Sequence, residues 1–430
     1  MDKSFRHLSI DERLDYLRKQ SDLTSEDLDS LRGKPLSTDI AENLIENAIG
    51  YFQIPLGIAT HFHIDGKDVL IPMAVEETSI IAAASATAKW LRTHGTITTE
   101  VGGNLIIGQI QLPQVKNVAQ ATRLLTVNTE HLIRAANALL PNLVERGGGV
   151  QQIAVRELDR PDGTGQMLVI HLLCDPCDAM GANLINQVCE GLKPEIEELT
   201  GESVGLCILS NLVDGKLARA TVVIHDVDPE LGRGICEATL FAEADPYRAA
   251  THNKGVLNGI DPILIATGND WRAVESGVHA YASRSGKYQP ITSWKMAGKD
   301  LVGKTELPMA VGTVGGMTRI HPTARAALKI MRVEHAHQLA RICAAVGLVQ
   351  NLAALKALST VGIVRGHMEL HASNLALAAG SGPNEIARVR KLLTELVAQK
   401  KKIGISVAQE ILKKIRAETA TNARPEFPSA

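Results

Sequence analysis

Residues 104–111 (NLIIGQIQ), 150–158 (VQQIAVREL), 167–174 (MLVIHLLC) and 203–210 (SVGLCILS) read as four strands. Each is a short run rich in aliphatic residues and bounded by turn-forming residues. Residues 115–142 lie between the first and second and read as one or two helices. The second and third are joined by the turn Pro161-Asp162-Gly163, and a helix from about Met180 to Leu199 separates the third from the fourth. The order is β-α-β-β-α-β, that of the ferredoxin-like split βαβ plait. It predicts a compact insert over 104–211 within a larger α+β chain.

Working outward, residues 9–31 read as two short helices with Ser9 and Thr24 as N-caps, and 38–50 as a helix stopping at Gly50. FQIPLGIATHFHI (52–64) and DVLIPMAV (68–75) flank Asp65-Gly66, a hairpin signal, and an Ala-rich helix follows from Ser79 to Arg92. Beyond the insert come a strand at 219–225, a helix around 229–250 and a Gly-rich stretch from Gly255 to Gly268. A helix at 271–282, strands at 288–296 and 308–314, and helices at 322–345 and 347–358 follow. The stretch 363–419 is helical and basic, hinged at Gly362 and Gly366. The chain thus divides into a discontinuous large mixed α/β domain (1–103 and 212–361), the insert (104–211) and a small helical C-terminal flap (362–430).

Composition narrows the function. Hydrophobic residues make up 45% of the 430 and aromatics only 3%, so the core is built from Ala, Val, Ile and Leu. Few aromatics leave few stacking platforms for single-stranded nucleic acid. Lys+Arg (45) nearly balances Asp+Glu (47), so no global field favours nucleic acid or an acidic membrane. The charged N-terminus lacks the apolar run of a signal peptide. The longest apolar runs, such as Ile80 to Ala84, are too short to span a bilayer. Six scattered Cys suggest free thiols in a reducing compartment. These features predict a cytoplasmic protein with neither a nucleic-acid nor a membrane partner.

The densest polar cluster is Thr251-His252-Asn253-Lys254-Gly255, flanked by Arg248 and Asn258 and followed by Gly268-Asn269-Asp270. A lysine in such apolar, Gly-rich surroundings would lose solvation and need a carboxylate or a ligand anion. A Lys–Asp pair facing a pocket can hold a developing oxyanion; the plainer alternative is a surface loop with an ordinary ion pair. Glu76-Glu77-Thr78-Ser79 precedes the Ala-rich helix, where carboxylates commonly complement the helix dipole; general acid work would require one to be desolvated. Asp178-Ala179-Met180-Gly181-Ala182-Asn183 lies at a strand-to-helix turn, where small residues let backbone N–H groups approach a pyrophosphate, although it is not G-x-G-x-x-G. Metal readings are poor. His367 and His371 frame H-M-E-L-H, with the Glu misplaced for a zincin, and Cys174/Cys177 form one C-x-x-C without a second pair. His61/His63 and His335/His337 read as edge and surface histidines.

Taken in order, IENAIGYFQIPLGIA, MAVEETSIIAAAS, DAMGAN, ILSNL, the long run Asp245 to Ala282, VGTVGG, AVGLVQNLAALKAL and RGHMELH resemble the bacterial class II 3-hydroxy-3-methylglutaryl-coenzyme A (HMG-CoA) reductases. The match runs from about residue 42 to 371. It implies a four-electron, NADPH- or NADH-dependent reduction of HMG-CoA to mevalonate and coenzyme A, with no metal. It sets Glu77, Lys254, Asp270 and His367 in the catalytic positions, with His367 on the mobile flap and Asp270 hydrogen-bonded between Lys254 and Glu77. Ser79, Arg248, Asn258 and Asn211 match substrate-pocket positions, and Arg6 an arginine that meets coenzyme A phosphates. Asp178, Ala179, Met180, Gly181, Ala182 and Asn183 match the dinucleotide turn, and Gln350 the nicotinamide end. The resemblance also implies a homodimer with its active site at the subunit interface.

One departure stands out. NADH-preferring members carry an aspartate before the proline that precedes the glycine triplet, where it meets the adenosine ribose; here that place is Leu140. Without that acid, a barrier to the 2′-phosphate of NADPH is absent. Two rival readings remain: the same enzyme running catabolically from mevalonate, coenzyme A and NAD, and a non-catalytic CoA-ester-binding protein.

Overall fold

The computed structural model describes residues 5–33, 38–360, 372–399 and 401–422. It divides into two compact units: Met1–Glu76 with Ile81–Ala353, and Glu77–Ile80 with Ala354–Ala430.

In the first unit, α1 (Ile10–Gln20) and α2 (Ser25–Leu31) each begin in a capping box, Ser9 with Glu12 and Thr24 with Asp27. Their apolar faces meet Ala326 and Ile330. After α3 (Thr38–Leu44), the chain forms the antiparallel hairpin β1 (Leu56–Ile64) and β2 (Lys67–Ala74), turning at Asp65-Gly66 as predicted. Helix α4 (Ile80–His94) then leads into β3 (Gly95–Gly102).

The 104–211 stretch contains β4 (Ile106–Leu112), three helices (α5 Val118–Val127, α6 Thr129–Ala138, α7 Pro141–Glu145), β5 (Gly149–Asp159) and β6 (Gln166–Asp175). Helices α8 (Ala182–Gly191) and α9 (Lys193–Thr200) and strand β7 (Cys207–Ser210) complete it. The antiparallel sheet order is β5-β6-β4-β7, so its four strands run second, third, first, fourth, as in the plait. Leu125, Leu132, Ile170, Leu172, Val188 and Ile196 pack its helices onto one face.

The second antiparallel sheet has the order β3-β8-β10-β9, with β8 at Leu217–Ile224, β9 at Thr292–Ala297 and β10 at Asp300–Pro308. Here the structure corrects the sequence reading. Strand β3 was not anticipated, and the last strand runs 300–308, not 308–314. Gly303 interrupts the β10 pattern for a packing reason: a Cβ there would lie 2.3 Å from the Trp294 ring.

Helices α10 (Pro229–Ala244), α11 (Pro246–Ala266) and α12 (Trp271–Ala282) follow β8. The Gly-rich stretch after residue 250 is therefore helix, not loop. Its Gly259 is required by close packing, because a Cβ there would lie 2.8 Å from Gln350 Cβ and from the Val346 carbonyl oxygen. After α13 (Gly316–Ile320) come α14 (Pro322–Met331) and α15 (Ala336–Ser359), so the two expected helices are present but their break falls at 332–335, not at 346. Helix α15 is long and apolar enough to cross a membrane, but 67% of that stretch is buried inside the protein.

In the second unit, α16 (372–378), α17 (Pro383–Ala398) and α18 (Ile405–Asn422) enclose a small core of Leu375, Val389, Leu393, Leu412 and Ile415. Arg416 ties α18 to Glu385 at 2.8 Å.

Candidate active site

Helix α11 carries the densest polar cluster. At about 100° per residue, Arg248, Thr251, Lys254 and Asn258 fall within an arc of about 120°. The opposite face is buried through His252, Asn253, Val256, Leu257, Ile260, Ile263 and Leu264. Lys254 is therefore exposed in the single chain. The desolvation expected from its apolar neighbours in sequence does not arise, because the helix turns those neighbours away from it. Arg248 is half-buried, and that burial holds its guanidinium below the usual range. Pro262 has no N–H to donate to the Asn258 carbonyl one turn back.

Two clamps set the rotation of α11. On one flank His252 Nε2 lies 2.6 Å from Thr292 Oγ1 and 3.2 Å from Asn351 Nδ2. On the other, Asn253 donates to the Gln289 carbonyl at 2.9 Å and accepts from the Ile291 N–H at 3.0 Å. Gln350, beside Asn351 on α15, is buried against Gly259.

Asp270 caps α12. Its Oδ1 accepts from Arg272 N at 3.1 Å, Ala273 N at 3.2 Å and Arg272 Nε at 3.3 Å, a capping role the sequence reading did not assign. Next to it, Asn269 Oδ1 accepts the Gly312 N–H at 2.8 Å. That bond joins GND to VGTVGG, and VGTVGG in turn meets DAMGAN. Ala179 bridges Val314, Thr313 N donates to the Asp178 carbonyl at 2.9 Å, and a Cβ at Gly312 would lie 2.5 Å from Met180 N. Three motifs distant in sequence thus line one cavity of about 330 Å³, reaching from Met180 and Asn183 to Asp270 and Gly316.

The Asp178–Asn183 turn leads directly into α8. Gly181, left-handed at φ 94°, precedes α8, and no side chain caps the first N–H groups of that helix. The Asp178 carboxylate is engaged elsewhere, accepting from His335 Nδ1 at 3.0 Å and Ala336 N at 2.8 Å. Partial burial opposes its charge, but those two donors prevail and hold the carboxyl below its usual range; the same pairing raises His335. The sequence reading treated His335 as a surface residue, and 157 positions of separation gave no sign of this contact.

Leu140 is buried in the insert's core and lines a neighbouring cavity of about 630 Å³ with Asp178, Asn183 and Arg146. Asn211 is exposed just after β7, with its carbonyl against Gly277 of α12. Arg6 is exposed on a short 3-10 turn, and its carbonyl accepts from Arg13 Nη2 at 3.0 Å. Glu77, exposed, and Ser79, at φ 80°, fall in the second unit. His367 lies outside the described residues. All six cysteines are free, and burial pushes the Cys174 thiol up to about 12. Among the described residues, no group of three or more His, Cys, Asp or Glu could hold a metal ion.

A sequence model of the family described as Hydroxymethylglutaryl-coenzyme A reductase matches residues 9–372. The chain belongs to this family. It is 47% identical to the 3-hydroxy-3-methylglutaryl-coenzyme A reductase of Archaeoglobus fulgidus, over 96% of this chain and 94% of that one. A probable reductase from Borreliella burgdorferi is 32% identical over 97% and 96%. Among solved structures, the Streptococcus pneumoniae reductase superposes with a TM-score of 0.80 at 38% identity, covering 96% of this chain and 99% of that one. A class II structure from the same organism, bound to NADPH in open conformations, gives 0.79 at 39% identity over 83% and 99%. The α+β class and the oxidoreductase reading both hold for this member of the HMG-CoA reductase family.

Proposed function

We propose that the chain reduces HMG-CoA to mevalonate and coenzyme A in the biosynthetic direction, using the cavity that joins Ala179–Asn183, Asn269-Asp270 and Gly312–Gly316. The convergence of these three motifs is the observation that carries the reading. The uncapped start of α8 and the glycine-only approach at Gly312 suit a dinucleotide pyrophosphate, and the S. pneumoniae relative bound to NADPH supports that assignment.

A bound reduced nicotinamide dinucleotide supplies the hydride for each of the two reductions. The chain's residues manage charge and protons. Lys254 holds the negative charge that grows on the thioester oxygen. His367 protonates the departing coenzyme A thiolate, and Glu77 supplies the proton that completes the alcohol. Asp270, the N-cap of α12, takes the place of the family's catalytic aspartate. Arg248, Asn258, Ser79 and Asn211 hold the substrate, Arg6 meets coenzyme A, and Gln350 borders the nicotinamide.

In this reading residues 104–211 are the dinucleotide-binding domain, 1–103 with 212–361 the substrate and dimerisation domain, and 362–430 the flap. The enzyme acts as a cytoplasmic homodimer, which its six free thiols and the exposed Ile49 and Phe52 suit. The test follows absorbance of the reduced nicotinamide with HMG-CoA, alongside sedimentation at assay concentration. Turnover by a dimer is expected; no turnover with either dinucleotide, or a fully active monomer, would overturn the corresponding part.

A further inference from the structure

Beside the dinucleotide turn lies a cavity of about 550 Å³ between the insert and β8, lined by Arg146, Lys216, Asp175, Asp178, Cys177 and His337. Its charges are unevenly committed. Asp178 is matched by His335, and Asp175 Oδ1 already accepts from Asn104 Nδ2 at 2.6 Å and Cys177 N at 2.8 Å. Burial pushes His337 down, toward its neutral form.

The cations are not so provided for. Lys216 is 5% exposed, and its described contact is a 3.4 Å approach to the Val311 carbonyl, one acceptor for three N–H donors. Burial lowers its ammonium to about 8 despite Asp175 and Asp178, so it remains charged at neutral pH but poorly solvated. Arg146 has no ion pair among the described residues and also lines the adjoining cavity with Leu140 and Asn183. Arg146 and Lys216 thus line, with Asp175 and the His335-paired Asp178, a space open to a ligand. A buried, under-partnered ammonium is costly unless an anion completes it.

We propose that Arg146 and Lys216 form a phosphate site for the dinucleotide, contiguous with the Asp178–Asn183 turn. This rests on the reductase reading and deepens it by naming which side chains hold the phosphorylated part of the ligand. Leu140, in the adjoining cavity that Arg146 also lines, adds no negative charge to repel a phosphate. The group held is either the adenosine 2′-phosphate of NADPH or the pyrophosphate common to both dinucleotides.

The test uses the full-length enzyme and two variants. Arg146→Gln alters an exposed side chain; Lys216→Met keeps the volume and removes the charge. Each should raise the KM for NADPH at least tenfold, with the KM for HMG-CoA within threefold. If the site takes the 2′-phosphate, the KM for NADH lags well behind, and 2′,5′-ADP weakens by the same factor in calorimetry. If it takes the pyrophosphate, the two KM values rise together. Calorimetry on Arg146→Gln keeps the question decidable if Lys216→Met does not fold. An unchanged KM for both dinucleotides in Arg146→Gln, or a rise confined to HMG-CoA, overturns the proposal. Inactivity of the unmodified enzyme with either dinucleotide would instead count against the reductase reading.

Discussion

Trp294 donates its indole N–H to Asn351 Oδ1 at 2.9 Å, and that bond orients the amide that packs against His252. An indole can only donate, so the amide oxygen of Asn351 faces Trp294 and its NH2 faces His252 Nε2. Nε2 also lies 2.6 Å from Thr292 Oγ1, whose hydroxyl donates to Asn351 Oδ1 at 3.0 Å, while Nδ1 is buried with no partner among the described residues. Burial, with Arg248 nearby, pushes the folded value down to about 4.

The unfolded chain therefore binds more protons than the folded one between about 4 and about 6.5, and stability rises with pH across that window. The contribution is fully present above about 6.5 and lost by about 4, amounting to about 3 kcal/mol. Urea titrations at several pH values should show this slope, and His252→Gln should flatten it. An equal slope in that variant would assign the effect to other groups.

Lys254 and His367 should separate by half-reaction. Lys254→Ala should lose about 10²–10³ in kcat, the usual cost of one oxyanion donor, and circular dichroism should remain unchanged because the side chain is exposed. His367→Gln should fail on HMG-CoA yet still reduce free mevaldehyde, which needs no thiolate protonation. Equal losses on both substrates would remove His367 from the leaving-group role.

Gly259→Ala should destabilise the fold although alanine is the better helix former. The added methyl would stand 2.8 Å from Gln350 Cβ and from the Val346 carbonyl, so α11 and α15 must move apart. Overpacking of this kind costs about 1–3 kcal/mol. A raised denaturation midpoint would mean that the crossing is looser than the structure has it.

Leu140→Asp should move the kcat/KM ratio toward NADH by roughly tenfold to a hundredfold, through repulsion of a 2′-phosphate worth ~1–3 kcal/mol. Leu140 is also buried in the insert's core, so the same change should lower Tm. The cofactor ratio is read well below that Tm. A drop in Tm without a change in ratio would make Leu140 a packing residue only.

Residues along the chain determined a good deal by local chemistry alone. Ser9 with Glu12 and Thr24 with Asp27 start helices because each pair can satisfy backbone donors within a single turn. Asp65-Gly66 makes the hairpin because the strand twist needs a positive-φ turn. The four aliphatic runs of 104–211 also specified the plait order, since short antiparallel strands with two interposed helices have few ways to cover one face. Likewise, the ordered motifs from DAMGAN to RGHMELH were enough to suggest the family.

Tertiary structure decided what depends on contacts between distant residues. Gly255 and Gly259, which looked like loop signals, lie in helix α11, because packing against α15 requires a residue without a Cβ at Gly259. Gly303 hid strand β10 for the same reason, making room for Trp294. Lys254 was expected to be desolvated, but the rotation of α11, set by His252 and Asn253, turns it to solvent. The pairing of Asp178 with His335 and the commitment of Asp270 to capping α12 were likewise invisible along the chain. A hydrogen bond across 157 positions leaves no local pattern, because helix and strand periodicities report which side of an element is buried, not what it is buried against.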